Sequence, residues 1–453
     1  MIPLLRHRSV LLAWVVLVAM ADGHPIAAQP AAIIPAFEPE RLPNRFRDGT
    51  PLSDLIEEKG DETCVNALAF SPDGSQIAVG DGPTRLLCVF GGLPPINENG
   101  GLIRIIDVAT RKVIRTIRPA KKPWREYEIV SLAYTPDGRT LFAHGKEVWQ
   151  PEDRGVEVGY HVTAWDPSTG RALRRIDSAK LDDWKSPTFS RDASAFAARM
   201  HAGLRVWDLA TGHERPAPVG GPVENGVPAL SPGGKTLAAG DPGGEVGLWD
   251  VATGKRLARF PAHRKDGHTF AIKSLAFSPD GRMLACRGMF SVQVNPPYWQ
   301  YTSEIRLIDV VNHADRATIP GSDRHVFLSL AFSPDGKSLA VASRGPSAEA
   351  FGFERWLVRI WETAPWRERA SIRSESDDVT HITYPANGSL LVTAGRDGIT
   401  LRDPADGHER ASLGQLGFLL EGGGIAVSPD GRTFAATNGR LRLWDVQAAL
   451  GSK

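Results

Sequence analysis

The sequence predicts an all-β chain built from eight copies of one unit, because two independent markers each recur eight times. The first is a short apolar strand running into a tight turn, most complete at Ser274 to Gly281 (Ser-Leu-Ala-Phe-Ser-Pro-Asp-Gly). Its turn recurs at Ser71 to Gly74, Thr135 to Gly138, Ser278 to Gly281, Ser333 to Gly336 and Ser428 to Gly431, with worn forms at Ser190 to Ala193, Ser231 to Gly234 and Pro385 to Gly388. Pro presets φ at the second position of a type I turn and Gly takes positive φ where the hairpin bulges, so each copy reads as two short antiparallel strands. The second marker is an apolar run ending in Trp-Asp or its remnant: Ile106-Asp107, Trp165-Asp166, Trp207-Asp208, Trp249-Asp250, Ile308-Asp309, Trp361-Glu362, Arg402-Asp403 and Trp444-Asp445. Thr-Gly often comes next, as at Thr169-Gly170, Thr211-Gly212 and Thr253-Gly254.

These paired markers resemble the WD40 family of repeats, in the degenerate form of exported bacterial-type members. The resemblance covers residues 46–446 and implies an eight-bladed β-propeller of four-stranded antiparallel blades. Successive turns lie between 41 residues apart (Ala193 to Gly234) and 64 apart (Gly74 to Gly138), so some blades carry insertions. Family members often join a His, a strand-b Ser or Thr, a turn Asp and the strand-c Trp by hydrogen bonds. Here Gly267-His268 precedes a blade that has Cys286 and Ile308 at the matching places, so stability is expected to come from apolar packing between blades.

In chain order, residues 1–28 read as a secretory signal peptide: Arg6 and Arg8, an apolar run from Val10 to Met20, then Ile26-Ala27-Ala28 for cleavage before Gln29. Eleven apolar residues fall short of the roughly 20 that span a bilayer, so stable insertion after cleavage is not expected; an uncleaved anchor is the alternative. Export to the periplasm or the extracellular space is the consequence. Residues 29–45 read as an Ala- and Pro-rich linker, 46–446 as the propeller and 447–453 as a tail. Asp48 to Leu55 has the form of an outermost strand without its inner three, which stand at Ile425 to Ser428, Thr433 to Ala436 and Leu441 to Trp444. The N-terminal strand is therefore expected to complete the last blade and close the ring.

With 53 Lys and Arg against 52 Asp and Glu, the net charge of +1 creates no global field toward nucleic acid or anionic lipid. The densest basic run, Arg111 to Arg125, reads as an exposed outer strand with its adjoining loop, a polyanion site being the other reading. Cys64, Cys88 and Cys286 leave one thiol over in an oxidising compartment. Cys286 reads as a core residue; for Cys64 and Cys88, near one end of the first blade, a disulfide and free thiols are both open.

With strands a to d in each blade, the a–b and c–d turns share one face of the ring and the b–c loops the other. The distance from turn Gly to acidic marker is 33 residues in blade 1 (Gly74 to Asp107), 28 in blade 2, 15 and 16 in blades 3 and 4, 28 and 26 in blades 5 and 6, and 15 and 14 in blades 7 and 8. The excess falls in the b–c connections of two opposite pairs, so two walls flank a trough. Its aromatic residues, Phe90, Trp149, Tyr160, Tyr298, Trp299, Tyr301, Phe351, Phe353 and Trp356, are the candidate anchors for a protein or peptide partner. The competing reading folds them inward as satellite cores.

No catalytic motif is found, and no cofactor or metal ion is expected. Gly234-Lys235-Thr236 and Gly336-Lys337-Ser338 match only the end of a phosphate loop and lead into strands, not helices. Gly212-His213 and Gly407-His408 fall in c–d turns without the second His of a zinc site. The best-supported function is a non-catalytic interaction scaffold. The alternative is an enzyme or cofactor protein at the mouth of the central channel, drawing on Glu147, Glu152, Asp153, Glu157 and His161 of blade 2 or Glu349 and Glu354 of blade 6.

Overall fold

The structure, a computed structural model, describes residues 63–83, 101–119, 125–149, 157–177, 185–200, 203–220, 226–240, 243–261, 264–265, 268–295, 298–321, 326–345, 355–373, 379–395, 398–413, 425–437 and 441–451. All belong to one compact unit, Asp48–Lys453. Its strands form eight antiparallel blades in chain order, an eight-bladed β-propeller. Blades 1, 2, 4, 5, 6 and 7 show four strands paired a-b-c-d; blade 3 shows three and a single further bridge, Trp207 to Glu214; blade 8 shows three. The expected fourth strand of blade 8, Asp48 to Leu55, lies outside the described residues, as do the signal segment and Cys88.

The a–b turns form because their own side chains satisfy their backbone. In blade 1 the Ser71 hydroxyl donates to Asp73 at 2.6 Å and accepts the Gln76 N–H at 3.0 Å, while Asp73 also accepts the Ser75 N–H at 3.0 Å. The Ser71 hydroxyl accordingly holds the Asp73 carboxyl below its usual range. Thr135 with Asp137, Ser278 with Asp280, Ser333 with Asp335 and Ser428 with Asp430 repeat the arrangement. The worn turns keep parts of it. Ala193 holds the glycine conformation at φ 51°, and Asn387 replaces the Asp and accepts from the Ser389 N–H at 3.0 Å.

The acid that ends strand c caps the next turn of the chain. Asp107, Asp208 and Asp250 accept the N–H of Thr110, Thr211 and Thr253 at 2.7, 2.7 and 2.8 Å, closing the c–d turns. Asp445 uses the same geometry on Gln447 and Ala448, at 2.8 and 3.0 Å, to start a helix, α1 (Val446–Gly451). The sequence reading has only a tail there. Val446 is buried, and Ala449 and Leu450 pack on the seam between blades 7 and 8, which fixes the helix.

The hydrophobic core is divided into eight clusters, one at each seam between neighbouring blades. The closing seam joins Val65, Ile77, Val79 and Ile106 of blade 1 to Ala435, Leu441 and Leu443 of blade 8. Thr437 of blade 8 also donates to the Val65 carbonyl at 2.7 Å. On the turn face, each tetrad rests on its predecessor. A Cβ added to Gly138 would lie 3.6 Å from Pro72, one on Gly281 3.5 Å from Pro232, and one on Gly74 3.6 Å from Pro429 of blade 8. The ring is thus closed by packing between its first and last blades. Cys286, fully buried and free, is a core residue of the seam between blades 4 and 5, as the sequence predicts.

Candidate functional site

Among the described residues, the insertions of blades 2, 5 and 6 lengthen strands b and c. Blade 5 extends strands b and c to 13 and 12 residues (Met283–Asn295 and Tyr298–Asp309), pairing from Met283 with Asp309 out to Asn295 with Tyr298. Blade 2 pairs Leu141–Trp149 with Glu157–Trp165, and blade 6 pairs Ser338–Gly345 with Arg355–Thr363. All three hairpins leave the ring on the face opposite the a–b turns. An extra pair of strands continues the blade ladder at no cost in unpaired backbone groups, which a long loop would incur.

The expected anchors divide along these hairpins. Tyr298, Trp299 and Tyr301 lie in the outer part of the blade 5 ladder, with Trp299 opposite Gln293 and Tyr301 opposite Ser291. Trp149 is half-buried against its own hairpin, where a Cβ on Gly159 would come within 3.1 Å of its ring. Tyr160 packs inward on the seam between blades 2 and 3, its ring stacked on His144 at 6.0 Å. Trp356 corrects the sequence expectation of an anchor outside the repeat: it is 6% exposed and packs with Val358, Val379 and Ile382 in the seam between blades 6 and 7, under the Arg344 guanidinium at 5.9 Å. The reason is register, since Trp356 pairs with Arg344 inside the blade ladder and so points where strand c residues point. Phe90, Phe351 and Phe353 lie outside the described residues.

Strands of blades 1, 2 and 5 carry charged groups, of which sequence reasoning singles out Glu147 and His161 but misses Asp81, Arg104, Arg175 and Arg287. In blade 1, Asp81 accepts the Leu102 N–H at 2.6 Å and pairs with Arg104 at 2.8 Å, both side chains buried. Burial pushes the Asp81 carboxyl up to about 6 against the pull of Arg104. In blade 2 the buried Glu147 pairs with Arg175, which also holds Asp177 at 2.6 Å, and has His161 Nδ1 3.6 Å away. Burial, aided by Arg175, lowers the His161 imidazole to about 4, and burial lowers His144 to about 3, so both are neutral at pH 7. In blade 5 Arg287 donates to Ser274 at 2.9 Å and to the Phe327 carbonyl at 2.7 Å, tying blade 5 to blade 6. The signal for these groups is a charge within an apolar strand run, as in Ile-Ala-Val-Gly-Asp and Leu-Ile-Arg-Ile-Ile.

Of the residues proposed for chemistry, Glu147 and His161 do meet, but Glu147 is committed to Arg175. Among the described residues no group of three or more His, Cys, Asp or Glu side chains is placed to hold a metal ion. His213 and His408 are exposed residues of their c–d turns. On the turn face, a groove of about 760 Å³ runs along the closing seam, lined by Asp107, Arg111, Asp430, Arg432 and Asp445 among others. Its acids cap their own turns.

The fold is therefore a propeller of four-stranded repeats, and three stretches of the chain match a known repeat. Residues 50–84, 254–289 and 366–400 match the WD domain, G-beta repeat. WD repeat-containing protein SL1-17 of Schistosoma mansoni is 32% identical over 126 residues, 27% of this chain and 39% of its own. Telomerase Cajal body protein 1 of Mesocricetus auratus is 25% identical over 213 residues, 46% of this chain and 36% of its own. The chain thus spans less than half the length of these curated relatives. The solved β-propeller domain of Myceliophteria thermophila Cps50 (Swd1) is 16% identical over 73% of this chain and 93% of that one, with a TM-score of 0.44.

Proposed function

We propose that the chain is an exported, non-catalytic scaffold that docks a protein or peptide on the face bearing the b–c hairpins. The observation that carries this reading is that the long hairpins of blades 2, 5 and 6 all rise on that face, and that the one in blade 5 carries Trp299 and Tyr301 in the outer part of its ladder. Rigid strands present anchors at lower entropic cost than loops do, and aromatic anchors dominate binding energy at interfaces. A matched relative, actin-interacting protein 1 of Drosophila melanogaster, bears a protein interaction in its name. The buried Asp81–Arg104 pair of blade 1 is a rigid link between strands b and c, since removing one partner from such a pair costs about 3–5 kcal/mol. Export rests on the segment before Gln29.

The test is capture of a partner by the full chain, compared with Trp299→Ala and Tyr301→Ala. Each variant should keep its melting temperature and bind at least about tenfold more weakly, about 1.4 kcal/mol. Unchanged capture by both moves the docking face elsewhere. N-terminal sequencing of the mature protein should find Gln29 or a near neighbour; an intact Met1 on cytoplasmic protein refutes export.

A further inference from the structure

The outer strands, which line the circumference, share one device. In blades 1, 2, 4, 5, 6 and 7 strand d carries a β-bulge against strand c, and the residue left without a partner is Ile114, Leu173, Leu257, Arg316, Arg369 or Arg410. A bulge and alternating charge are how natural sheets keep exposed edges from pairing with other chains. Blades 5 to 7 have both protections. Asp315 and Pro320 stand in strand d of blade 5, Glu368 and an Arg367–Glu362 pair at 2.7 Å protect blade 6, and Glu409 protects blade 7. In blade 4 the cation Arg259 is held by Glu245 at 2.6 Å. In blade 2 Arg174 donates to the Leu209 carbonyl at 2.8 Å and Arg175 is tied to Asp177.

Blade 1 differs. Its outer strand, Val113–Ile117, reads Val-Ile-Arg-Thr-Ile: four β-branched residues, no acid and no proline. Val113 and Ile114 are 42% and 49% exposed. Arg111, Lys112 and Arg118, all exposed, flank it, and among the described residues none of the three meets a carboxylate within ion-pair distance. Among the described residues the strand pairs on one side only, with Ile103–Asp107. Such an edge has high strand propensity, and among the described residues no further strand lies beside it beyond the bulge, from Arg115 to Ile117. Its charge repels a second copy of itself and attracts a chain of the opposite sign.

We propose that the outer strand of blade 1 accepts an extended acidic peptide segment, which adds to the sheet edge as a further strand. Backbone hydrogen bonds supply the pairing, Val113 and Ile114 supply apolar contact, and Arg111, Lys112 and Arg118 select for carboxylates. This surface lies on the circumference, apart from the hairpin face, and does not depend on docking there.

The test uses the full chain and a fluorescein-labelled peptide of alternating Glu and Val, with binding read by anisotropy at low salt. Binding should weaken at least tenfold when the peptide backbone is N-methylated throughout, which keeps the charge and removes the donors. It should weaken as much in Lys112→Glu combined with Arg118→Glu, two exposed positions, and stay unchanged in Lys255→Glu of blade 4. No binding of the peptide, equal binding of its N-methylated form, or undiminished affinity of the double variant each overturns the proposal. Binding to phosphatidylglycerol vesicles without binding to the peptide overturns it also, in favour of a lipid surface.

Discussion

At the scale of single residues, the strand-c tryptophans show where stability resides. Trp249 is 1% exposed, its ring fills the seam between blades 3 and 4, and its indole N–H donates to the Val219 carbonyl at 3.1 Å. Trp249→Ala should cost about 3–5 kcal/mol in chemical denaturation. Trp356→Ala should cost a similar amount, because that ring also lies in a seam. The buried histidines make a pH prediction. A His whose folded pKa lies below its unfolded value of about 6.5 favours the folded state at neutral pH, and that contribution is lost as pH falls toward the folded pKa. For His161 the window runs from about 6.5 down to about 4. Asp81, raised to about 6, acts in the opposite sense between there and its unfolded value, so the whole-protein curve mixes the two. The difference between the native chain and His161→Gln isolates the histidine: denaturation midpoints should fall less steeply with acid in the variant. Parallel curves refute the assignment.

Among elements, the blade 5 hairpin is the one whose removal separates fold from binding. Its inner part belongs to the core, since Phe290 is 2% exposed and packs on Phe270 at 5.2 Å between ring centres. Its outer part, beyond the pair Val292 with Gln300, continues the ladder away from the seam. Replacing residues 293–299 with Asn-Gly, which favours a two-residue hairpin turn, should leave the melting temperature within a few degrees and abolish partner capture. Loss of folding instead would show that the outer ladder supports the ring. The repeated turns are the opposite kind of element. The complete turns each satisfy themselves with one hydroxyl and one carboxylate, whereas the worn turn at Ser231 to Gly234 keeps only the hydroxyl, which accepts the Thr236 N–H at 3.0 Å, and that at Pro385 to Gly388 only the stand-in Asn387.

For the whole molecule, closure of the ring has a measurable signature. Blade 8 shows three strands and packs on blade 1 through an apolar seam. The three repeat matches share a phase: residues 254–289 and 366–400 each include a strand d, Arg256–Phe260 and Trp366–Arg373, then strands a and b of the next blade. Residues 50–84 match in the same phase, with strands a and b of blade 1 at their end, which supports reading Asp48 to Leu55 as the outer strand of blade 8. A chain beginning at Glu62 should therefore melt lower or aggregate, as an edge strand of blade 8 is uncovered. An unchanged melting temperature excludes the N-terminal strand from closure.

The sequence by itself determined the eight repeats, the a–b and c–d turns and the side of the ring from which the insertions rise, because these depend on residues close together in the chain. A turn tetrad or a capping Asp carries its own hydrogen bonds and leaves a local signature. Only the tertiary structure decided that Tyr160 and Trp356 of the insertions pack in the core. Both read in the sequence as insertion residues outside the repeat, yet they lie in seams because strand register and the neighbouring blade place them there. The same holds for Asp81 with Arg104 and Glu147 with Arg175, whose partners lie 23 and 28 residues away across strands. Register and inter-blade packing are long-range properties, fixed when the ring closes and each apolar face finds its neighbour.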